Sequence, residues 1–130
     1  MWRTVLIVDD HKAMRWALRN WLKIAFPQCR IVEAASGEEA ITLTQAVTPD
    51  LVIMDFKLPG MNGVEATRQI KAAMPSVSVV MLSVNDDITY RSQAAAAGAM
   101  AYISKWRMDT ELVPVVTQLL SNEGSTFRTR

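Results

Sequence analysis

Thr4-Val5-Leu6-Ile7-Val8-Asp9-Asp10 and Leu51-Val52-Ile53-Met54-Asp55 follow one pattern: an uncharged, apolar run closed by an acid. A strand that is apolar along its whole length is buried on both faces, and that happens in a parallel sheet covered by helices above and below. A carboxylate at its C-terminal tip marks where the chain leaves the core for a loop. Two such tips set side by side make an acidic pocket.

Working outward, apolar runs alternate with segments of helical period. Thr4–Val8 precedes Lys12–Phe26, Arg30–Ala34 precedes Glu38–Ala46, and Leu51–Met54 precedes Val64–Met74. Val77–Leu82 precedes Ile88–Ala97, and Ala101–Ser104 precedes Leu112–Leu120. Five strand-helix units predict a single α/β domain with a doubly wound, five-stranded parallel sheet and five helices. Met14, Leu18, Trp21, Leu22 and Ala25 share one face of the first helix, while Arg15, Arg19 and Lys23 fall elsewhere. Pro27 stops that helix, Ser36 with Glu39 forms a capping-box pattern, and Gly98 follows the alanine run as a C-terminal stop. Pro114 is expected in the first turn of a last helix that begins near Thr110 or Glu111. Residues 1–120 make the domain, and 121–130 lose the apolar pattern and read as a linker or tail.

Of the 130 residues, 50% are hydrophobic and 21% charged, which suits an ordinary globular domain and argues against disorder. Lys and Arg number 14 against 13 Asp and Glu, so the chain lacks the basic excess that draws proteins to phosphate backbones. A single cysteine, Cys29, forms no internal disulfide, and no secretory leader pattern is visible, so the expected location is cytoplasmic. No apolar stretch approaches the roughly 20 residues that cross a bilayer.

In a doubly wound sheet of order 2-1-3-4-5, strands 1 and 3 are neighbours and the ligand crevice lies between their carboxyl ends. Neighbouring strands sit about 4.8 Å apart, so Asp9, Asp10 and Asp55 converge there. Two carboxylates about 5 Å apart repel by roughly 3 kcal/mol at an effective dielectric near 20. Such a trio calls for a cation, and an all-oxygen set suits Mg²⁺ or Mn²⁺ better than zinc. With the metal present, one carboxylate could attack phosphorus to form an acyl phosphate. Ser83 and Lys105, after the fourth and fifth strand runs, offer a hydroxyl and an ammonium for the remaining phosphoryl oxygens.

The pieces Val8-Asp9-Asp10-His11, Met54-Asp55-Phe56-Lys57-Leu58-Pro59-Gly60-Met61-Asn62-Gly63, Leu82-Ser83 and Gly98-Ala99-Met100-Ala101-Tyr102-Ile103-Ser104-Lys105, in this order, resemble the receiver domain of two-component response regulators. The resemblance runs along essentially the whole chain and is nearest in style to the LuxR-type transcriptional regulators, with a flavodoxin-like fold. It implies a switch that takes a phosphoryl group from a sensor histidine kinase or phosphotransfer protein onto Asp55, then removes it slowly. It implies that Asp10, Asp55 and the Lys57 backbone carbonyl hold Mg²⁺ while Asp9 supports the ion through water. Ser83 would move to bind the phosphoryl group, Tyr102 would rotate inward behind it as the switch aromatic, and the output surface would be the fourth helix, fifth strand and fifth helix. A phosphorylation-dependent homodimer, and DNA contact only through a separate helix-turn-helix domain, follow from the same resemblance; a stand-alone receiver is the alternative.

Three positions depart from the family pattern. Trp106 stands where a proline in a cis peptide is usual, and a non-proline cis bond costs about 2.5–4 kcal/mol. Val84 replaces the usual alanine or glycine after the switch hydroxyl, where it narrows access to Asp55, and Lys57 occupies a position that tunes phosphoryl lifetime. An aspartate-nucleophile phosphatase is a rival reading, although such enzymes commonly carry a second acid where Lys57 stands. A pseudo-receiver or a flavin carrier is another. His11, the only histidine, begins a helix and is expected to face solvent; Trp2, Trp16 and Trp106 are expected to be partly exposed. Gly60-Met61-Asn62-Gly63 lacks phosphate-loop spacing and reads as a turn into the third helix.

Overall fold

The computed structural model describes residues 3–125, with side chains through residue 121. Strand β1 (Thr4–Val8) leads to α1 (Lys12–Ala25), β2 (Arg30–Ala34) to α2 (Gly37–Val47), and β3 (Leu51–Asp55) to α3 (Gly63–Ala73). Then β4 (Ser78–Ser83) leads to α4 (Ile88–Ala97), and β5 (Ala101–Ser104) passes through a 3₁₀ turn (Lys105–Arg107) into α5 (Met108–Ser125). All strand pairs are parallel and the order is β2-β1-β3-β4-β5. The doubly wound, flavodoxin-like order expected from the sequence is the one observed.

Alternate residues of each central strand feed two cores, as the two-residue period of a strand requires. Leu6, Val8, Val52, Met54, Val79 and Met81 face Ala40, Ala66, Ile70 and Ala94 from α2, α3 and α4. Val5, Ile7, Leu51, Ile53, Val80, Leu82 and Ile103 face Leu18 and Leu22 of α1 and Leu112 and Val116 of α5. The sheet is thus dry on both sides, and its polar chemistry is pushed to the strand ends.

The local signals act as expected at most helix ends. Ser36 Oγ accepts the Glu39 amide at 3.0 Å, while Glu39 Oε1 reaches back to the Ala35 amide at 2.7 Å. Gly98 closes α4 in the left-handed region, at φ +108°. The last helix differs from expectation: it starts at Met108, directly from the 3₁₀ turn, so Pro114 sits inside it rather than in its first turn. An interior proline costs about 3 kcal/mol, but Leu112 and Val116 are fully buried on either side of it. Burying an aliphatic side chain contributes about 1.5–3 kcal/mol each, which offsets the lost hydrogen bond. The helix also runs on to Ser125, through the first part of the segment expected to be a tail; residues 126–130 and Trp2 lie outside the described residues. Among the described residues, no helix is long and apolar enough to cross a membrane.

Candidate functional site

Strand pairing brings the acids together. Val8 pairs with Met54, so Asp9 and Asp55 leave the sheet at the same level, and Ser83 pairs with Ser104, which places Lys105 one residue beyond. Asp9 is 1% exposed and Asp55 4% exposed, an unusual depth for carboxylates. Lys105 answers both: its Nζ lies 3.3 Å from Asp9 Oδ2 and 3.3 Å from Asp55 Oδ1. The Asp9 Oδ1 atom accepts the His11 amide at 2.8 Å. Asp55 Oδ1 also takes the Lys57 amide at 3.4 Å, which is how exposed Lys57 joins the site.

Asp10 is the part-exposed member of the trio, yet its Oδ1 atom is buried and accepts no hydrogen bond. His11 Nδ1 lies 3.4 Å from it, outside hydrogen-bond alignment. Ligand atoms of Asp9, Asp10, His11 and Asp55 all lie within 4.8 Å of one another. His11 is solvent-facing, as expected, but its ring reaches Asp9 Oδ1 at 3.3 Å, closer to the acids than its position suggests. Three carboxylates meet one ammonium, and the orphaned Asp10 oxygen is a buried acceptor that a cation could satisfy. A divalent ion with oxygen ligands fits this donor set. Burial raises the Asp55 pKa above the ordinary carboxylate value; Lys105 opposes that shift and Asp9 adds to it.

The other flank is built by the loop after β4. Ser83 ends that strand, 4% exposed, and its Oγ accepts the Asn85 amide at 3.0 Å. Tyr102 is half-buried; its hydroxyl donates to the Asn85 carbonyl at 2.5 Å and the Arg91 guanidinium lies 4.8 Å above its ring. A cavity of about 50 Å³ beside Ser83 is lined by Phe56, Lys57, Val84, Asn85 and Tyr90. Tyr90 packs edge-on against Phe56 with centroids 4.9 Å apart. A larger cavity of about 360 Å³, lined by Arg3, Ala25, Phe26, Pro27, Gln28 and Cys29, contains none of the site carboxylates.

The Lys105-Trp106 peptide is trans, and the Trp106 amide donates to Ser104 Oγ at 3.2 Å, a bond proline could not make. Trp106 is 79% exposed, so the expected partial exposure is exceeded, and Trp16 is 68% exposed on α1.

Two supports escaped the sequence reading. Arg15, placed there on a polar helix face, donates to the Asp9 carbonyl at 2.8 Å and pairs with Glu33 at 3.2 Å, so it braces the Asp9-Asp10 turn from α1. Gly63 lies so close to β3 that an added Cβ would overlap the Asp55 carbonyl oxygen. The preceding Asn62 caps α3 by accepting the Glu65 amide, so the segment is the helix-leading turn expected.

Residues 5–117 match the family profile described as response regulator receiver domain. The transcriptional activator protein ExaE of Pseudomonas putida is 36% identical over 92% of this chain and 56% of its own length. The chain spans about half the length of the curated relatives it matches. A LuxR-family two-component response regulator from Aurantimonas sp. SI85-9A1 superposes with a TM-score of 0.87 at 32% identity, covering 94% of this chain and 87% of that one. A CheY-like receiver domain protein from Methanospirillum hungatei JF-1 shares the fold at TM-score 0.89 and 24% identity, over 97% and 99% of the two chains.

Proposed function

The chain belongs to the response regulator receiver domain family, and from that premise we propose that it is a phosphorylation-controlled switch whose acceptor is Asp55. The observation that supports this reading is the meeting of Asp9, Asp10, Asp55 and Lys105 at the carboxyl ends of neighbouring strands.

In the proposed reaction the Asp55 carboxylate attacks the phosphorus of a kinase phosphohistidine. A P–O bond forms as the P–N bond breaks, and the imidazole leaves with the electron pair. Lys105, already within salt-bridge reach of Asp55, stays beside the new acyl phosphate and opposes its charge. The Ser83 hydroxyl donates to a phosphoryl oxygen, and Tyr102, bonded to the same loop, carries the change toward α4, β5 and α5. Mg²⁺, or Mn²⁺, when bound, neutralises oxygen charge during transfer. Asp10, Asp55 and the Lys57 carbonyl are its proposed ligands, with Asp9 acting through water. The burial that raises the Asp55 pKa would be relieved by the ion's charge.

The proposal extends to a sensor histidine kinase or phosphotransfer protein as donor, a cytoplasmic location and a dimer that depends on phosphorylation. The greater length of the relatives supports an output domain joined to the receiver in the whole protein, with DNA bound through that domain only. Residues 121–130 then lead toward it.

Intact-mass analysis after incubation with acetyl phosphate and Mg²⁺ tests the reading. One stoichiometric phosphoryl group is expected, absent from the Asp55→Asn chain. No label on the native chain would overturn the acceptor role, and many turnovers of a generic phosphoester would favour a hydrolase.

A further inference from the structure

We propose that Trp106 is a positioning residue for the Ser83 hydroxyl, acting through the single peptide unit that joins Val84 to Asn85; the inference rests on the phosphoacceptor reading above. The Trp106 indole N–H donates to the Val84 carbonyl at 3.2 Å. The other end of that same unit, the Asn85 N–H, donates to Ser83 Oγ at 3.0 Å. A peptide is planar and rigid about its C–N bond, so a bond that fixes the carbonyl also fixes the direction of the N–H. With the Asn85 amide occupying an acceptor position on Ser83 Oγ, the hydroxyl proton is left for another acceptor. In the proposed reaction that acceptor is a phosphoryl oxygen.

The indole is itself held in register. Its backbone amide donates to Ser104 Oγ, and Ser104 is only 3% exposed. An indole left 79% exposed gains little from burial, so the bond to Val84 is what orients the ring. The next carbonyl, that of Asn85, takes the Tyr102 hydroxyl. Two aromatic donors from β5 and the turn after it therefore hold successive carbonyls of the loop that carries Ser83. A proline at position 106 would supply neither the indole donor nor the amide donor.

The test is calorimetric titration with beryllofluoride, a phosphoryl analogue, in saturating Mg²⁺. Trp106→Phe keeps an aromatic ring but removes the indole N–H, and is expected to weaken beryllofluoride binding about three- to tenfold, the size of one net hydrogen bond. Its affinity for Mg²⁺ alone should match the native chain, because Ser83 is not among the proposed metal ligands. In a Ser83→Ala background, Trp106→Phe should have no further effect on beryllofluoride. Unchanged affinity in Trp106→Phe, or an equal loss in both backgrounds, would overturn the positioning role. If the native chain itself takes up no beryllofluoride, the phosphoacceptor reading fails and the inference with it; native binding that is indifferent to Trp106→Phe defeats the inference alone.

Discussion

Burial holds the Asp55 carboxyl above the ordinary carboxylate range, and Lys105 opposes that shift without cancelling it. The metal-free folded chain therefore binds this proton more tightly than the unfolded chain does. The stability contributed is fully present below the unfolded pKa, about 3.9, and is lost as pH rises through the folded value. Asp55→Asn removes the titration. Urea denaturation in chelator should show the native chain losing stability relative to Asp55→Asn as pH rises above about 4; parallel curves would mean that folding does not raise the proton affinity of this carboxyl. At this scale the sequence was most informative where a charge interrupts an apolar run, as at Asp9 and Asp55. It was least informative about Arg15, whose partner is a backbone carbonyl on another element and leaves no mark on side-chain periodicity.

The connection between β3 and α3 sets how tightly that helix closes on the strand that ends in Asp55. Gly63 donates its amide to the Phe56 carbonyl at 2.9 Å, and a methyl group there would press into the Asp55 backbone rather than into a flexible side chain. Gly63→Ala should therefore destabilise the fold by about 1–3 kcal/mol, the usual cost of overpacking, read from urea midpoints. A neutral effect would show that α3 can slide outward freely. Close approach between backbone atoms has no sequence period, which is why Gly63 reads simply as a turn residue until the helix is docked. Pro114 shows the same blindness in another form. Local propensity argues for a helix that starts just before it, whereas the buried Leu112 and Val116 carry the helix through it. Ser36, Glu39 and Gly98 were legible because caps are local chemistry, complete within a few residues.

Across the whole molecule, the acids and the lysine meet only because the crossover topology sets β1 beside β3 and β5 at the far side of β4. The unfolded chain has no such cluster, so an ion that binds it stabilises the folded state by mass action, about 2.7 kcal/mol at a concentration 100 times its dissociation constant. Mg²⁺ should raise the thermal midpoint of the native chain, and Asp10→Asn should lose most of the rise. An unchanged midpoint in the native chain would show that the three carboxylates do not hold the ion. The sheet order could be reached from the sequence because uninterrupted apolar runs demand cover on both faces; the ties across the crevice could not, since they join residues from separate loops. Trp106 gives one of those ties an optical consequence. Trp21 packs against the core and Trp16, also exposed, lies on α1, but Trp106 is bonded to the loop beside Ser83. The chain thus carries a native fluorophore at the rim of its crevice, where ligand-dependent emission and iodide quenching can follow occupancy in real time, without a dye.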